Sequence, residues 1–220
     1  FTVRTVEVSG LRRLTRAEVL AVGGVALPAN AFALNPRAIQ ERLAAYPPIA
    51  QAKVVRRFPA QLRVEVKERR PVGALPYGEH FLLFDGEGVP FAVTPAPAAS
   101  GLPKVTGCRL APVRLGRPAQ ADDLRWVAAV LESLPPELHR RVQGVEVGRD
   151  VTLTLVLTEG SRVLLGSRER MGEKLGLVQS ILAEAAENGW TVREVDVRQP
   201  DQPFLRRGTP GGGAQGEDGR

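Results

Sequence analysis

Residues Ala52–Val72 read Ala-Lys-Val-Val-Arg-Arg-Phe-Pro-Ala-Gln-Leu-Arg-Val-Glu-Val-Lys-Glu-Arg-Arg-Pro-Val. Leu62, Val64 and Val66 alternate with Arg63, Glu65 and Lys67, the period-2 pattern of a strand with one buried and one wet face. Ala52–Phe58 reads as a partner strand whose phase is blurred by the adjacent Val54 and Val55. Pro59 suits the first central position of a tight turn, and Pro71 stops the second strand. A lone hairpin is marginally stable, so its apolar face needs a cover from upstream.

The upstream chain supplies one. Val3–Ser9 reads as a strand ending at Gly10. Thr15 and Glu18 form a capping box at a helix start, Leu14 can staple onto Val19, and Gly23-Gly24 ends the helix. Asn35-Pro36 starts a second helix with Ile39, Leu43 and Tyr46 on one stripe, stopped by Pro47-Pro48. The order strand, helix, helix, strand, strand gives an α+β unit with two helices on one face of three strands.

These residues resemble a POTRA domain (β-α-α-β-β), of the kind found in the bacterial division proteins of the FtsQ/DivIB family. The resemblance rests on Val6–Gly10, Asn30–Leu34, and above all Ala52–Pro59 through Glu68–Val72. Phe58 stands where the family usually has Trp, and Tyr46-Pro47-Pro48-Ile49 replaces a more usual Leu-Pro-Trp-Val. POTRA domains of outer-membrane assembly or transport proteins usually come in tandem, whereas a single copy is read here.

Beyond Pro71, Phe81–Phe84 and Val89–Val93 flank Asp85-Gly86-Glu87-Gly88, a hairpin turn with too few carboxylates for a calcium loop. Pro95–Ser100 is a connector, and Leu102–Gly107 matches the family's Leu-Pro-x-x-x-Gly. A helix over Asp122–Leu134 carries Leu124, Val127, Leu131 and Leu134 on one stripe and ends at Pro135-Pro136. Strands follow over Val142–Val147, Val151–Leu157 and Arg162–Leu165. Ser167 is the expected cap of the longest helix, with Met171, Leu175, Val178, Leu182 and Ala185 as its core stripe and Asn188-Gly189 as its stop. Trp190–Arg198 and the short Phe204–Arg207 complete the strands. The division is therefore a POTRA domain over 1–70, a mostly antiparallel β-domain with two helices over 71–207, and a Gly-rich tail over 208–220 expected to be disordered.

Composition narrows the function. Residues 1–70 hold 13 Lys/Arg against 5 Asp/Glu, and residues 71–220 hold 17 against 19, so the net +6 divides as +8 and −2. The basic half invites a nucleic-acid reading. Its arginines, however, are scattered without aromatic interleaving or any recognition motif, so a solvated face near anionic lipid head groups is preferred and no nucleic acid is expected. His80 and His139 have nothing at ligand spacing, Cys108 has no local His or Asn partner, and Gly211–Gly213 lies outside any strand-to-helix turn. Glu194 and Asp196 are same-side strand carboxylates that face solvent. No enzyme, metal or cofactor is expected. The chain begins at Phe1, as expected of a piece of a longer protein, and no run reaches the roughly 18 apolar residues of a membrane span.

What remains is recognition by backbone. A terminal strand exposes N–H and C=O groups that can accept a partner's strand. Pro200, Pro203 and Pro210 around Phe204–Arg207 are readable either as protection of such an edge or as flanks of one kept open for a partner. The resemblance implies the second: a strand from FtsB, arriving with FtsL, would dock there, and Arg198 would pair with an acidic partner residue. Gln199 stands where the family is often aromatic, and Phe204 or Trp190 would supply the missing apolar contact beside Pro203, Leu205 and Arg206. It also implies a single-pass scaffold of the inner (plasma) membrane. This part would lie outside the cytoplasm at the division septum, meet other divisome proteins through the POTRA domain, and help control septal peptidoglycan synthesis.

Overall fold

The computed structural model describes residues 2–208 apart from 4, 31–32, 58–60, 100, 110–111 and 120–121. The turn expected at Pro59 and the tail from residue 209 lie outside the described residues.

In chain order the first unit holds β1 (Thr2–Val3), β2 (Val6–Ser9), α1 (Arg16–Gly23), β3 (Ala29–Asn30), α2 (Pro36–Ala45), β4 (Ile49–Arg57) and β5 (Gln61–Glu68). β4 and β5 form the antiparallel hairpin and β2 adds parallel to β5, giving the order β2-β5-β4. β1 and β3 make a two-residue ladder apart from this sheet, which splits the single strand read over Val3–Ser9. A register shift between Ile49 and Gln51 accompanies the blurred phase of β4, where Val54 is buried and Val55 exposed. Leu62, Val64 and Val66 turn inward onto Val19, Ile39 and Leu43 in one cluster.

The helices start as their sequences dictate. Thr15 and Glu18 close the capping box, Asn35 accepts from the Arg37 and Ala38 N–H groups, and Gly24 ends α1 in the left-handed region. Arg42 of α2 donates twice to the Gly23 carbonyl (2.9 and 2.7 Å), satisfying an acceptor at the end of α1. Gly10 lies at φ 85°, and a Cβ there would sit 1.8 Å from the Val66 carbonyl oxygen, so only glycine fits.

The second unit holds β6 (Gly73–Tyr77), β7 (His80–Phe84), β8 (Pro90–Pro95), a 3-10 turn (Ala96–Ala99), β9 (Lys104–Thr106), α3 (Asp122–Ser133), α4 (Pro136–Arg141), β10 (Val142–Val147), β11 (Leu153–Leu157), β12 (Arg162–Gly166), α5 (Met171–Glu187), β13 (Val192–Asp196) and β14 (Phe204–Arg207). Its strands form one mixed, nine-stranded sheet in the order β14-β13-β12-β11-β10-β9-β6-β7-β8. The stripes of α3 and α5 share a core with Leu82, Phe84, Val145, Leu155, Val163 and Val195. A smaller cluster of Ala74, Leu83, Phe91 and Ala99 includes the 3-10 turn.

Four details differ from the sequence reading. β6 and β9 are strands, although Gly73–Tyr77 contains Pro76 and β9 spans only three residues. A third helix, α4, follows Pro135-Pro136, because Pro136 occupies the first helical turn, where a missing N–H is harmless. Ser167 does not cap α5; Arg170, at φ 53°, is the N-cap, and the Ser167 carbonyl instead accepts from the buried Lys174 amine at 3.0 Å. The strand read over Trp190–Arg198 is shorter, Val192–Asp196, although Val197 just beyond it is buried on the inward side as its sequence position implies.

The units meet where Glu68-Arg69-Arg70-Pro71 leaves β5. The buried Glu68 carboxylate accepts the backbone N–H groups of Arg12 (2.7 Å), Arg13 (2.9 Å) and Leu14 (3.1 Å). Burial raises its pKa, but these bonds outweigh burial and hold it below the usual carboxylate range. Arg69 donates to the Pro47 carbonyl and pairs with Asp85 at 2.5 Å, both side chains nearly buried. Asp85 also accepts from the Glu87 and Val89 N–H groups, so the acidic turn is the far half of an ion pair between the units. Cys108 is half-buried, and burial next to Asp123 pushes its thiol up to about 12, a protonated and unreactive state at neutral pH.

A candidate protein-docking edge

β14 forms because Val192–Asp196 runs out along β12 and the chain returns through residues 197–203. Asp196 then faces Phe204, Val195 faces Leu205 and Glu194 faces Arg206. The return loop is pinned from outside the sheet. Arg170 binds Glu173 at 2.8 Å and Asp201 at 2.6 Å, tying the start of α5 to the loop. These contacts hold Asp201 below the usual carboxylate range and raise the Arg170 guanidinium. Gln202 donates to the Gln199 carbonyl, and Pro200 is buried. Sequence reasoning missed this clamp, since its partners lie 31 residues apart without a local pattern.

The strand's two faces differ. Leu205 aligns with Val195 and Val163 on the core side, half-buried against the main cluster. Phe204 aligns with Asp196 and Leu164 on the helix-free face and is 55% exposed. Arg206 joins Glu194 and Arg162 on that face, and Arg162 pairs with Glu146 at 2.7 Å. Arg207 lies 3.3 Å over the ring of Trp190, which is thereby engaged within the chain.

Arg198 is likewise engaged. Its side chain grips Asp196 at 2.6 and 3.0 Å, and its backbone N–H bonds the same carboxylate. Those bonds hold Asp196 below the usual range and raise Arg198. With Gln199 and Gln202 the pair lines a shallow cleft of about 270 Å³ at the end of β13. An acidic partner would meet an arginine already oriented, though shared with Asp196. Of the three flanking prolines, Pro200 is buried, Pro203 exposed, and Pro210 lies outside the described residues.

The three-stranded and nine-stranded sheets together have four edge strands. On β4 the Val54 N–H donates to the Gln40 side chain (3.1 Å), and on β2 the Val6 carbonyl accepts from Arg16 (3.1 Å). On β8 the Pro90 carbonyl accepts from Gly116 of the loop that follows (2.8 Å). Among the described residues no side chain, helix or strand caps the outer side of β14.

A small β-α-α-β-β unit joined to a mixed nine-stranded sheet, one edge of which is uncapped among the described residues, defines an α+β two-unit scaffold. Residues 1–69 match the POTRA domain, FtsQ-type, and residues 75–198 match the C-terminal region of the cell division protein FtsQ/DivIB. The chain belongs to the FtsQ/DivIB family, a family of non-catalytic cell division scaffolds. It is 33% identical to a cell division protein FtsQ of Mycobacterium leprae over 93% of this chain and 56% of that one. It is 32% identical to one of Mycolicibacterium smegmatis over 93% and 57%. A Streptomyces griseus FtsQ is 31% identical over 92% of this chain and 96% of its own length. The chain thus spans little more than half the length of the two mycobacterial relatives.

Proposed function

We propose that this chain is the extracytoplasmic part of a divisome scaffold that accepts a strand of FtsB, presented with FtsL, along β14. The scaffold thereby helps control septal peptidoglycan synthesis. The observation that carries the reading is that, among the described residues, nothing bonds the outer side of β14, whereas β4, β2 and β8, the other edges of the two larger sheets, each give one backbone group to a neighbour. An added strand would gain main-chain hydrogen bonds from β14 and side-chain contact with Phe204 and Arg206 on the helix-free face. Arg198, Gln199 and Pro203 would border its end, and Trp190 would steady the edge through Arg207. Family membership supports the same role, with the boundary between the POTRA domain and the β-domain at 70/71. It also favours a single membrane anchor in the whole protein; among the described residues no helix is long and apolar enough to cross a membrane.

The test is a titration of an FtsB–FtsL complex against proline variants at Phe204, Leu205 and Arg206. Successive residues of a strand alternate the direction of their N–H groups, so proline at an outward position should weaken binding and leave the circular dichroism intact. Proline at an inward position should loosen the β13 ladder instead. Wild-type affinity in all three variants would remove β14 as the docking edge.

A further inference from the structure

We propose that the cleft at the exit of β5, between Arg12-Arg13 and Arg70, docks an acidic segment of a protein partner. The cleft has a volume of about 380 Å³ and is lined by Arg12, Arg13, Glu68, Arg69, Arg70, Pro71 and Leu102. Four of these residues are arginines and one is an acid, and the acid is already committed. Glu68 is buried, spends its oxygens on three backbone N–H groups and shares its charge with Arg13, which leaves Arg12 and Arg70 as the rim arginines it does not offset. Arg69 is committed too, to Asp85 and Pro47. Arg12, Arg13 and Arg70 are exposed, and among the described residues none of their guanidinium groups is in an ion pair; Lys67, exposed near the end of β5, is in the same state. The rim thus carries an excess of positive charge; apart from the committed Glu68 and Asp85, the acids of the adjoining cleft that Lys67 and Arg70 also line are Glu87 and Glu132.

Geometry selects the partner. Forked guanidinium groups on both rims suit carboxylates, which they can bind through two parallel hydrogen bonds. Pro71 and Leu102 add an apolar wall that an aliphatic side chain between two acids could touch. A bilayer surface is flat, and a recess between two folded units is poorly accessible to it. An extended acidic peptide is not so limited.

The experiment uses the whole chain and a fluorescein-labelled dodecapeptide repeating Glu-Leu-Asp, followed by anisotropy near physiological salt. Arg12→Ala/Arg70→Ala should bind about tenfold more weakly, the size expected for losing charge-assisted contacts of this kind. Its melting temperature should not move, because neither side chain makes a hydrogen bond or ion pair among the described residues. The charge-matched Arg149→Ala/Arg193→Ala, placed on exposed sites of the other unit, should bind as wild type. The peptide should also bind undiminished to the proline variants of β14, which keeps this test separate from that of the strand edge. Equal weakening in both double variants would reduce the effect to net charge and overturn the proposal, as would a peptide that fails to bind. Phosphatidylglycerol vesicles that bind the chain through Arg12 and Arg70 when the peptide does not would assign the arginines to lipid instead.

Discussion

The three-stranded and the nine-stranded sheet of this molecule differ at their edges. In the POTRA domain the helices reach round the three-stranded sheet, and side chains of α2 and α1 take a backbone group on each edge strand, Val54 through Gln40 and Val6 through Arg16. In the β-domain α5 packs on β12 and β13, one strand in from the edge, and β14 has nothing capping its outer side among the described residues. An uncapped edge is a risk of unwanted pairing. Here its exposure is moderated by shortness, four residues, and by the charges of Arg206 and Arg207. The lesson is that backbone availability is confined to one end of the larger sheet, whose far edge at β8 and both edges of the smaller sheet each give a backbone group to a neighbour.

The harshest way to break this comparison is Val64→Asp. Val64 is 1% exposed at the centre of the small sheet, and an unpartnered carboxylate there should cost several kcal/mol. The POTRA domain should lose its melting transition while the β-domain retains its own; a wild-type melting curve would show the inward face to be misassigned. Next in size is Asp85→Ala, which strands the nearly buried Arg69 and should cost about 3–5 kcal/mol. Arg69→Met/Asp85→Leu should be less damaging than the single change, and calorimetry that ranks them the other way would deny the pair its place at the junction. Gln40→Ala leaves the Val54 N–H without its partner and should cost about 1 kcal/mol in denaturant titration. It should also raise self-association, measured by sedimentation, if capping is what keeps that edge quiet.

The smallest effect concerns acid. Asp201 and Asp196 have pKa values below their ordinary one, so the stabilisation they give is present above about 3.9 and fades as the pH falls through their folded values. Below that range Arg170 and Arg198 are released, and amide exchange in residues 197–203 should quicken before global unfolding. Because Arg170 and Asp201 are exposed, the change should be local and slight, and smaller still at high salt. Exchange that stays flat to the point of global unfolding would show that the clamp does not hold the loop.

Much of the POTRA domain was legible because its signals are local. Thr15 with Glu18, Asn35 with Pro36, and the alternation over Leu62–Val66 each lie within a few residues, and the structure realises all three. The β-domain was harder where a residue's meaning depends on distant company. Pro136 looks like a terminator beside Pro135 yet opens α4. Ser167 is a good cap residue by type, but the buried Lys174 claims its carbonyl and the helix begins later. Gly107 shows the same dependence, since a Cβ there would lie 2.0 Å from the Val147 carbonyl, on a strand about forty residues on. For the candidate edge, the strand Phe204–Arg207 and its terminal place were readable. That Leu205 faces the core, that Arg198 already holds Asp196, and that Arg207 covers Trp190 were not.

The amino-acid order alone determined the helices with strong caps, the inward face of the hairpin and the α+β class, because periodicity and capping act over one or two turns of chain. Only the tertiary structure decided which edge is bare, which charges are already spoken for, and that an acidic turn at Asp85 closes on Arg69. Those outcomes depend on side chains brought from far apart in sequence to within about 3–4 Å, the range in which a hydrogen bond or ion pair forms.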